Sequence, residues 1–337
     1  MFGIFRTFLA VNVILLHIFN VPTLGNYSVF AFFILSGFLM TLVVNENYGY
    51  SISGFSKFWI NRVLRLYPVY LIIIFITFLL LFFNQETLIT EHPKLYLPTS
   101  FFNWLENIFI IYPNILPYRE IPRLSPASWA ITNELIFYLF ISLGVSKNPK
   151  KTIIWLLLSV LYFVYAHYYK TPSHRYGAIP AASLPFAIGS ITYWISFKIK
   201  DFKVSLSFVL SLIVLFVLNA MCSKYLPDIF NGTSGYINMV VSALLVFSLY
   251  KLKVNTFWKS IDNKIGAYSY PFYLGHYIIV IVYSFFTSYG VLQKGFKLEL
   301  KVLPIYFTLL IVFVFLLVKV IDEPVNKLRN KIKGNEN

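Results

Sequence analysis

The sequence contains a single cysteine, Cys222, which excludes an intrachain disulfide and any cysteine-rich metal site. Charge is scarce as well. Only 12% of the 337 residues are Asp, Glu, Lys or Arg, whereas a soluble domain carries about a quarter. Acids are the rarer sign, 13 against 28 basic residues. No zinc-ligand spacing, phosphate-cradling P-loop, internal repeat or low-complexity tract occurs, so no metal site is expected. The net charge of +15 would suit nucleic acid, but the basic residues alternate with apolar stretches and form no stripe. Anionic lipid headgroups are the partner they fit, and no nucleic-acid partner is expected.

What the sequence has instead is apolar surface: 58% hydrophobic and 20% aromatic residues. Apolar runs of roughly 15–22 residues recur between Lys, Asn, Pro or Gly clusters, the length needed to cross a hydrocarbon layer. Ten spans are predicted, at 7–24, 29–45, 67–84, 128–146, 152–169, 180–197, 204–221, 236–250, 266–287 and 302–320. The first has no small-residue cleavage site and is read as a span that stays rather than a signal peptide. With the N-terminus inside, 19 of the 28 Lys and Arg fall in inner segments, which puts both termini in the cytoplasm. The fold class expected is therefore an all-α polytopic membrane protein, a bundle of about ten transmembrane helices in the cell membrane. Residues 1–337 are expected to form one membrane domain with a short cytoplasmic tail at 321–337 and no appended soluble domain. The long outer segment 85–127 is apolar but interrupted by Pro113, Pro117 and Pro122; it reads as an interfacial or re-entrant element over a cavity.

Ionisable residues inside such spans are candidate functional sites. "FRTFLAVNVILLHIFN" carries Arg6 and, eleven positions later, His17, a rise of ~16 Å on a helix. Arg6 then lies at one surface and His17 deep. In "FWINRVLRLYP", Arg62 and Arg65 share a helix face at the inner mouth of the third span, where two guanidiniums can grip phosphates or simply lipid headgroups. "SPASWAITNELIFYLF" places Glu134 about two turns into the fourth span. A carboxylate there fits an imidazole partner, His17, whose tautomer it would fix; Asn133 or Arg123 are the structural alternatives. "GAYSYPFYLGHYIIV" brings His276 into the ninth span beside Tyr268. Each histidine alone also fits a neutral imidazole bonded to a neighbouring helix. Two histidines and a glutamate within a bilayer together point to a polar cavity. His92, His167 and His174 fall in or beside outer loops and receive no role.

These stretches, taken in order, resemble the acyltransferase 3 family of membrane O-acyltransferases. Arg6 and His17 are in register with its Arg-x10-His signature, and "FFILSGFL" (residues 32–39) is similar to its FFxxSGF stretch. Arg62 and Arg65 match its Arg-x-x-Arg. "WAITNELIFYL" resembles WSLSxExxFYL and places Glu134 on the acidic position, "SYPFYLGH" resembles SYxLYLxH with His276, and "IDEPVNKL" resembles the closing E-x-P with Asp322 in the acidic place. The departures are Ala130 and Thr132, where serine is usual, and Phe30, where an acid is usual.

The resemblance implies an acyl group, most often acetyl, taken from cytoplasmic acyl-CoA as donor substrate with no bound cofactor. It is passed to a hydroxyl of a surface or lipid-linked glycan acceptor. Arg62, Arg65 and Arg6 would hold the acyl-CoA phosphates. His17 would act as base or acyl carrier, braced by Glu134, and His276, Ser36 and Tyr268 would line the cavity or steady the oxyanion. A second reading of the same polar residues is a transporter or flippase of a lipid-linked glycan, in which no bond is made.

Overall fold

The computed structural model describes residues 1–21, 24–91, 95–112, 123–226, 233–287 and 296–332, and the regular elements among them are all helices. In chain order these are α1 (Phe2–Phe19), α2 (Leu24–Val43), α3 (Ile52–Glu91), α4 (Phe101–Phe109), α5 (Trp129–Ser142), α6 (Pro149–Tyr169), α7 (Ile179–Lys198), α8 (Leu206–Tyr225), α9 (Ser234–Lys251), α10 (Thr256–Phe286), α11 (Leu303–Leu317) and α12 (Glu323–Ile332). A π-helical turn, Val44–Tyr48, prolongs α2, and another, Val318–Asp322, joins α11 to α12.

Among the described residues, nine helical segments are long and apolar enough to cross a membrane. Many outward side chains, such as Leu157, Leu158, Val214 and Ile311, are large, apolar and exposed. In water that surface would aggregate, and in lipid it is the ordinary exterior. The chain is a multi-pass, all-α membrane protein. The predicted span at 128–146 is α5, fourteen residues long and short of the roughly 20 that a full crossing takes. It is anchored at both ends. Thr132 Oγ1 donates to Ile110 O (2.7 Å) near its start, and Trp59 Nε1 donates to Ser142 Oγ (3.3 Å) at its end.

Two helices start well before their apolar runs do. The span predicted at 67 begins at Ile52 and that at 266 begins at Thr256. Lys57, Arg62 and Arg65 on the one, and Lys259, Asp262 and Lys264 on the other, interrupt hydropathy without interrupting backbone bonding. Pro113, Pro117 and Pro122 of the segment expected to cover a cavity lie outside the described residues. Within that segment α4 is a nine-residue helix capped by Ser100, whose side chain accepts from Asn103 N (3.2 Å). It is too short to cross and is tied to α3 by Tyr67, whose hydroxyl donates to Phe109 O (2.7 Å).

Two glycine contacts set the frame. A Cβ on Gly37 would stand 2.2 Å from Phe186 O, and one on Gly189 would stand 1.9 Å from Ile34 O. Only glycine lets α2 and α7 approach this closely, a use of small residues common between membrane helices. At the start of the chain, the Asp262 carboxylate accepts from the backbone N–H of Gly3 (3.0 Å) and Ile4 (2.8 Å). It thereby caps the N-terminus of α1 and complements its dipole. Thr7 Oγ1 donates to Ile265 O (3.0 Å) a turn later. α1 and α10 therefore run parallel and in register, which fixes Arg6 low and His17 high on the same wall. Residue 329 also lies low, bonded to Asn61 (3.0 Å), so both ends of the described chain are on the Arg6 side.

Candidate active site

On the Arg6 side, five helices enclose a cavity of about 90 Å³. At roughly 10–15 Å³ for each water, it holds several. α1 contributes Arg6, α2 contributes Ser36, α3 contributes Arg62 and Arg65, α5 contributes Glu134 and Tyr138, and α10 contributes Ser269, Tyr270 and Tyr273. Pro68 and Pro271 lie inside α3 and α10 at this level. Each removes a backbone donor, and Tyr270 bridges the two helices by donating to Leu66 O (3.0 Å).

Glu134 is the cavity's one carboxylate. Its Oε1 accepts from Ser36 Oγ (2.9 Å) and its Oε2 from Tyr138 OH (3.0 Å). Arg6 and Arg65 act on it through space. Neither makes an ion pair or hydrogen bond among the described residues. Arg62 donates to Asn61 Oδ1 (3.2 Å) and Met40 Sδ (3.7 Å), its guanidinium over the Phe58 ring at 5.5 Å, while its Nε has no acceptor. Three guanidiniums thus face one carboxylate that is already satisfied by two hydroxyls. Buried charge of one sign is unfavourable without a counter-ion, so the cavity is built for an anion.

Spacing alone did not single out Asn61 or Arg329. Asn61 Oδ1 accepts from both Arg62 and Arg329, the latter at 3.0 Å. Arg329 also donates to Asn326, whose Nδ2 donates to Asp322 Oδ2 (2.8 Å). The signal was in the helical spacing of Asp322, Asn326 and Arg329, which puts all three on one face of α12 and its approach. The acidic residue of "IDEPVNKL" therefore anchors a further arginine beside Arg62.

The histidines form a second site. His17 Nδ1 lies 3.0 Å from His276 Nε2, and His276 Nδ1 lies 2.7 Å from Tyr273 O. A carbonyl can only accept, so the proton of neutral His276 is on Nδ1 and its Nε2 is the acceptor. His17 must then donate from Nδ1, which leaves its own Nε2 without a proton, the tautomer a general base requires. His276 is fully buried and its backbone carbonyl accepts from Tyr306 OH (2.8 Å). At the end of α1, Lys297 Nζ donates to Leu16 O (2.9 Å) and His17 O (2.7 Å). Burial holds that ammonium below the ordinary lysine range.

The expected His17–Glu134 pair is not made. Glu134 lies level with Arg6, a helical rise of ~16 Å below His17, because α5 is short and enters the bundle deep. Phe32 and Tyr273, ring centroids 6.0 Å apart, stand between the cavity and the imidazoles. His276 brings to His17 the acceptor expected from the carboxylate. Arg123, the alternative partner for Glu134, has its guanidinium over Tyr112 at 5.2 Å, where burial lowers its pKa. Ser36 lines the cavity as expected. His276 and Tyr268 do not, Tyr268 packing against Phe272 at 6.4 Å. His167 is bonded to Arg175 and His174 to Thr171, and His92 lies outside the described residues. No group of three His, Cys, Asp or Glu that could hold a metal occurs among the described residues.

A family model described as an acyltransferase domain matches residues 2–321. The chain is 26% identical to the peptidoglycan O-acetyltransferase OatA of Listeria monocytogenes over 285 residues, 76% of this chain and 45% of that protein. It is 25% identical to the putative peptidoglycan O-acetyltransferase YrhL of Bacillus subtilis over 82% of this chain and 48% of that protein. It is 23% identical to the acyltransferase MdmB of Streptomyces mycarofaciens over 80% and 71% respectively. The chain spans about half the length of the first two relatives. No solved structure matches.

Proposed function

The chain belongs to the acyltransferase 3 family, and from that premise we propose that it is a membrane O-acetyltransferase. It takes acetyl from acetyl-CoA at the Arg6 side of the bundle and delivers it to a glycan hydroxyl at the His17 side. The observation that carries this is the charge imbalance of the lower cavity, three guanidiniums against a single carboxylate. An acyl-CoA supplies the phosphates that such a cluster lacks. Arg62 and Arg65, with Arg329 behind them on Asn61, hold these phosphates, and Arg6 lies further along the path. The excess of Lys and Arg in the segments on this side supports a cytoplasmic orientation.

The pantetheine arm then follows α1 upward, displacing the Phe32 ring that with Tyr273 closes the cavity's top, to reach the imidazole pair. His17 Nε2 takes the proton of the acceptor hydroxyl as its oxygen attacks the thioester carbon. Collapse of the tetrahedral intermediate breaks the C–S bond, and the imidazolium returns its proton to the CoA thiolate, leaving ester and free CoA. His276 positions His17, as the carboxylate does in a hydrolase triad. Glu134 works at the donor end, where it offsets part of the positive charge and ties α2 to α5 through Ser36 and Tyr138.

Radiolabelled acetyl-CoA supplied to membranes tests the reading: label should appear in glycan. Glycan movement across the bilayer without label would make the protein a transporter instead. Glu134→Gln should change the KM for acetyl-CoA and leave kcat within a few-fold. A loss of kcat at saturating donor with KM unmoved would remove Glu134 from the donor site.

A further inference from the structure

A second cavity, of about 280 Å³, opens where α2, α8 and α9 meet the turn Pro172–Arg175. It lies at the N-terminal turns of α2 and α9 and the C-terminal turn of α8, the His17 side of the bundle. We propose that this cavity is a docking subsite for a sugar ring of the acceptor glycan, an inference that rests on the acyl-transfer reading above.

Its chemistry is that of a carbohydrate site. Tyr27, Tyr176 and Tyr236 give it aromatic walls, which take the C–H faces of a pyranose as they take other apolar faces. At one end three hydroxyls close a triangle. Tyr27 OH donates to Ser223 Oγ (3.0 Å), Ser234 Oγ donates to Ser223 Oγ (2.9 Å), and Tyr27 and Ser234 also meet. Each hydroxyl has one proton and two lone pairs, so the triangle keeps acceptor capacity for the hydroxyls of a ligand. At the other end is Arg175, with Nη1 on His167 Nδ1 (2.9 Å). A guanidinium carries only donors, and a ring oxygen or a hydroxyl of a sugar is an acceptor it can hold. An acyl chain would satisfy neither end.

The position fits an acceptor bound for His17: Asn26 and Tyr27 of the cavity follow Gly25, where an added Cβ would stand 2.6 Å from Cβ of Leu16, the residue before His17. Phe30 packs edge-on against Tyr176 at 5.5 Å, and Tyr176 packs on Trp129 at 5.4 Å. Next to Trp129, Ala130 and Ile131 line the lower cavity, as do Val29 and Phe32 on the same turns of α2 as Phe30. Phe30, one of the departures from the family pattern, is thus a wall between the two cavities. That layer keeps the acceptor subsite apart from the donor cavity.

The test uses the full chain in lipid nanodiscs, with a soluble peptidoglycan glycan-strand fragment as ligand and acetyl-CoA as a control titrated separately. Tyr236→Ala and Arg175→Met should each weaken fragment binding by about tenfold and leave the Kd for acetyl-CoA unchanged. Gly235→Leu is the second approach. A Cβ there meets only Tyr27 Cε1, at 3.6 Å, so the side chain fills the cavity without displacing backbone and should abolish fragment binding. Wild-type fragment affinity in Gly235→Leu would overturn the assignment. So would a wild-type protein that transfers acetyl to the fragment with a KM unmoved by any of the three variants. A wild-type protein that binds no fragment and instead retains a phospholipid which Gly235→Leu releases would also overturn it and give the cavity to lipid. Acetyl-CoA binding reports on the donor reading separately, so the two can fail independently.

Discussion

The two ends of α1 lie in opposite chemical settings. Around Arg6 the walls carry full charges with too few counter-ions. Around the His17 ring the described residues are neutral: an imidazole, a backbone carbonyl held by that imidazole, and aromatic rings. Unpaired guanidiniums are tolerable where a polyanion binds. A proton acceptor works best where its tautomer is fixed and no charge competes for it. The difference therefore separates holding the donor from activating the acceptor, along one helix and about three turns apart.

Substituting the upper end should give the largest effect. His17→Ala is expected to lower kcat by 10²–10⁴-fold, about the contribution of a positioned general base, with the Kd for acetyl-CoA unchanged. Steady-state kinetics alongside donor titration check this; a variant that loses donor affinity and kcat together would merge the two ends into one site. The lower end should fail in the opposite way. Arg62→Ala combined with Arg65→Ala is expected to raise the Kd for acetyl-CoA by ten- to a hundredfold, since a charge-assisted hydrogen bond is worth about 1.5–3 kcal/mol. Its kcat at saturating donor should be nearly retained. Unaltered donor affinity would leave both residues with a topological role only.

The two ends also differ in how far sequence foretold them. Apolar length alone located nearly every helix, because a membrane enforces the same rule on each span. Hydropathy does not mark the starts of α3 and α10, where charged residues interrupt it, and it continues past the end of α5 at Ser142. At the lower end, Arg6, Arg62, Arg65, Ser36 and Glu134 were all named and do surround one cavity. Arg329 was not, since its bond to Asn61 joins positions 268 apart in the chain. At the upper end, His17 and His276 were both named but not as partners. Residue counting puts Glu134 at the depth of His17 and so favours a carboxylate as the brace. Depth depends on where a short helix is hung, and that is set by contacts such as Thr132 to Ile110 and Tyr112. Counting residues cannot supply them.

Smaller effects sharpen the contrast within the upper end. His276→Ala removes the acceptor for His17 Nδ1, frees the ring to change tautomer, and should lower kcat by about 10–100-fold, less than the loss of the base itself. A purely packing role predicts that any substitute of similar volume fares equally. A positioning role predicts that His276→Gln, whose side-chain oxygen can accept from His17, recovers activity that His276→Leu does not. Equal activity of the Gln and Leu variants would remove His276 from the mechanism.

The smallest expected effect concerns Lys297, which reaches the carbonyls of Leu16 and His17 at the end of α1. Those carbonyls have no intrahelical donors, and a cation there is worth about 0.3–1 kcal/mol. Lys297→Met should therefore let the last turn of α1 loosen and reduce kcat by about two- to fivefold, while the donor Kd at the other end of the same helix stays fixed. Lys297→Arg, which keeps the donors, should behave as wild type. If Lys297→Met instead weakened acetyl-CoA binding, the loosening would have travelled three turns down to Arg6, and α1 could not be treated as a rigid rod carrying two independent sites.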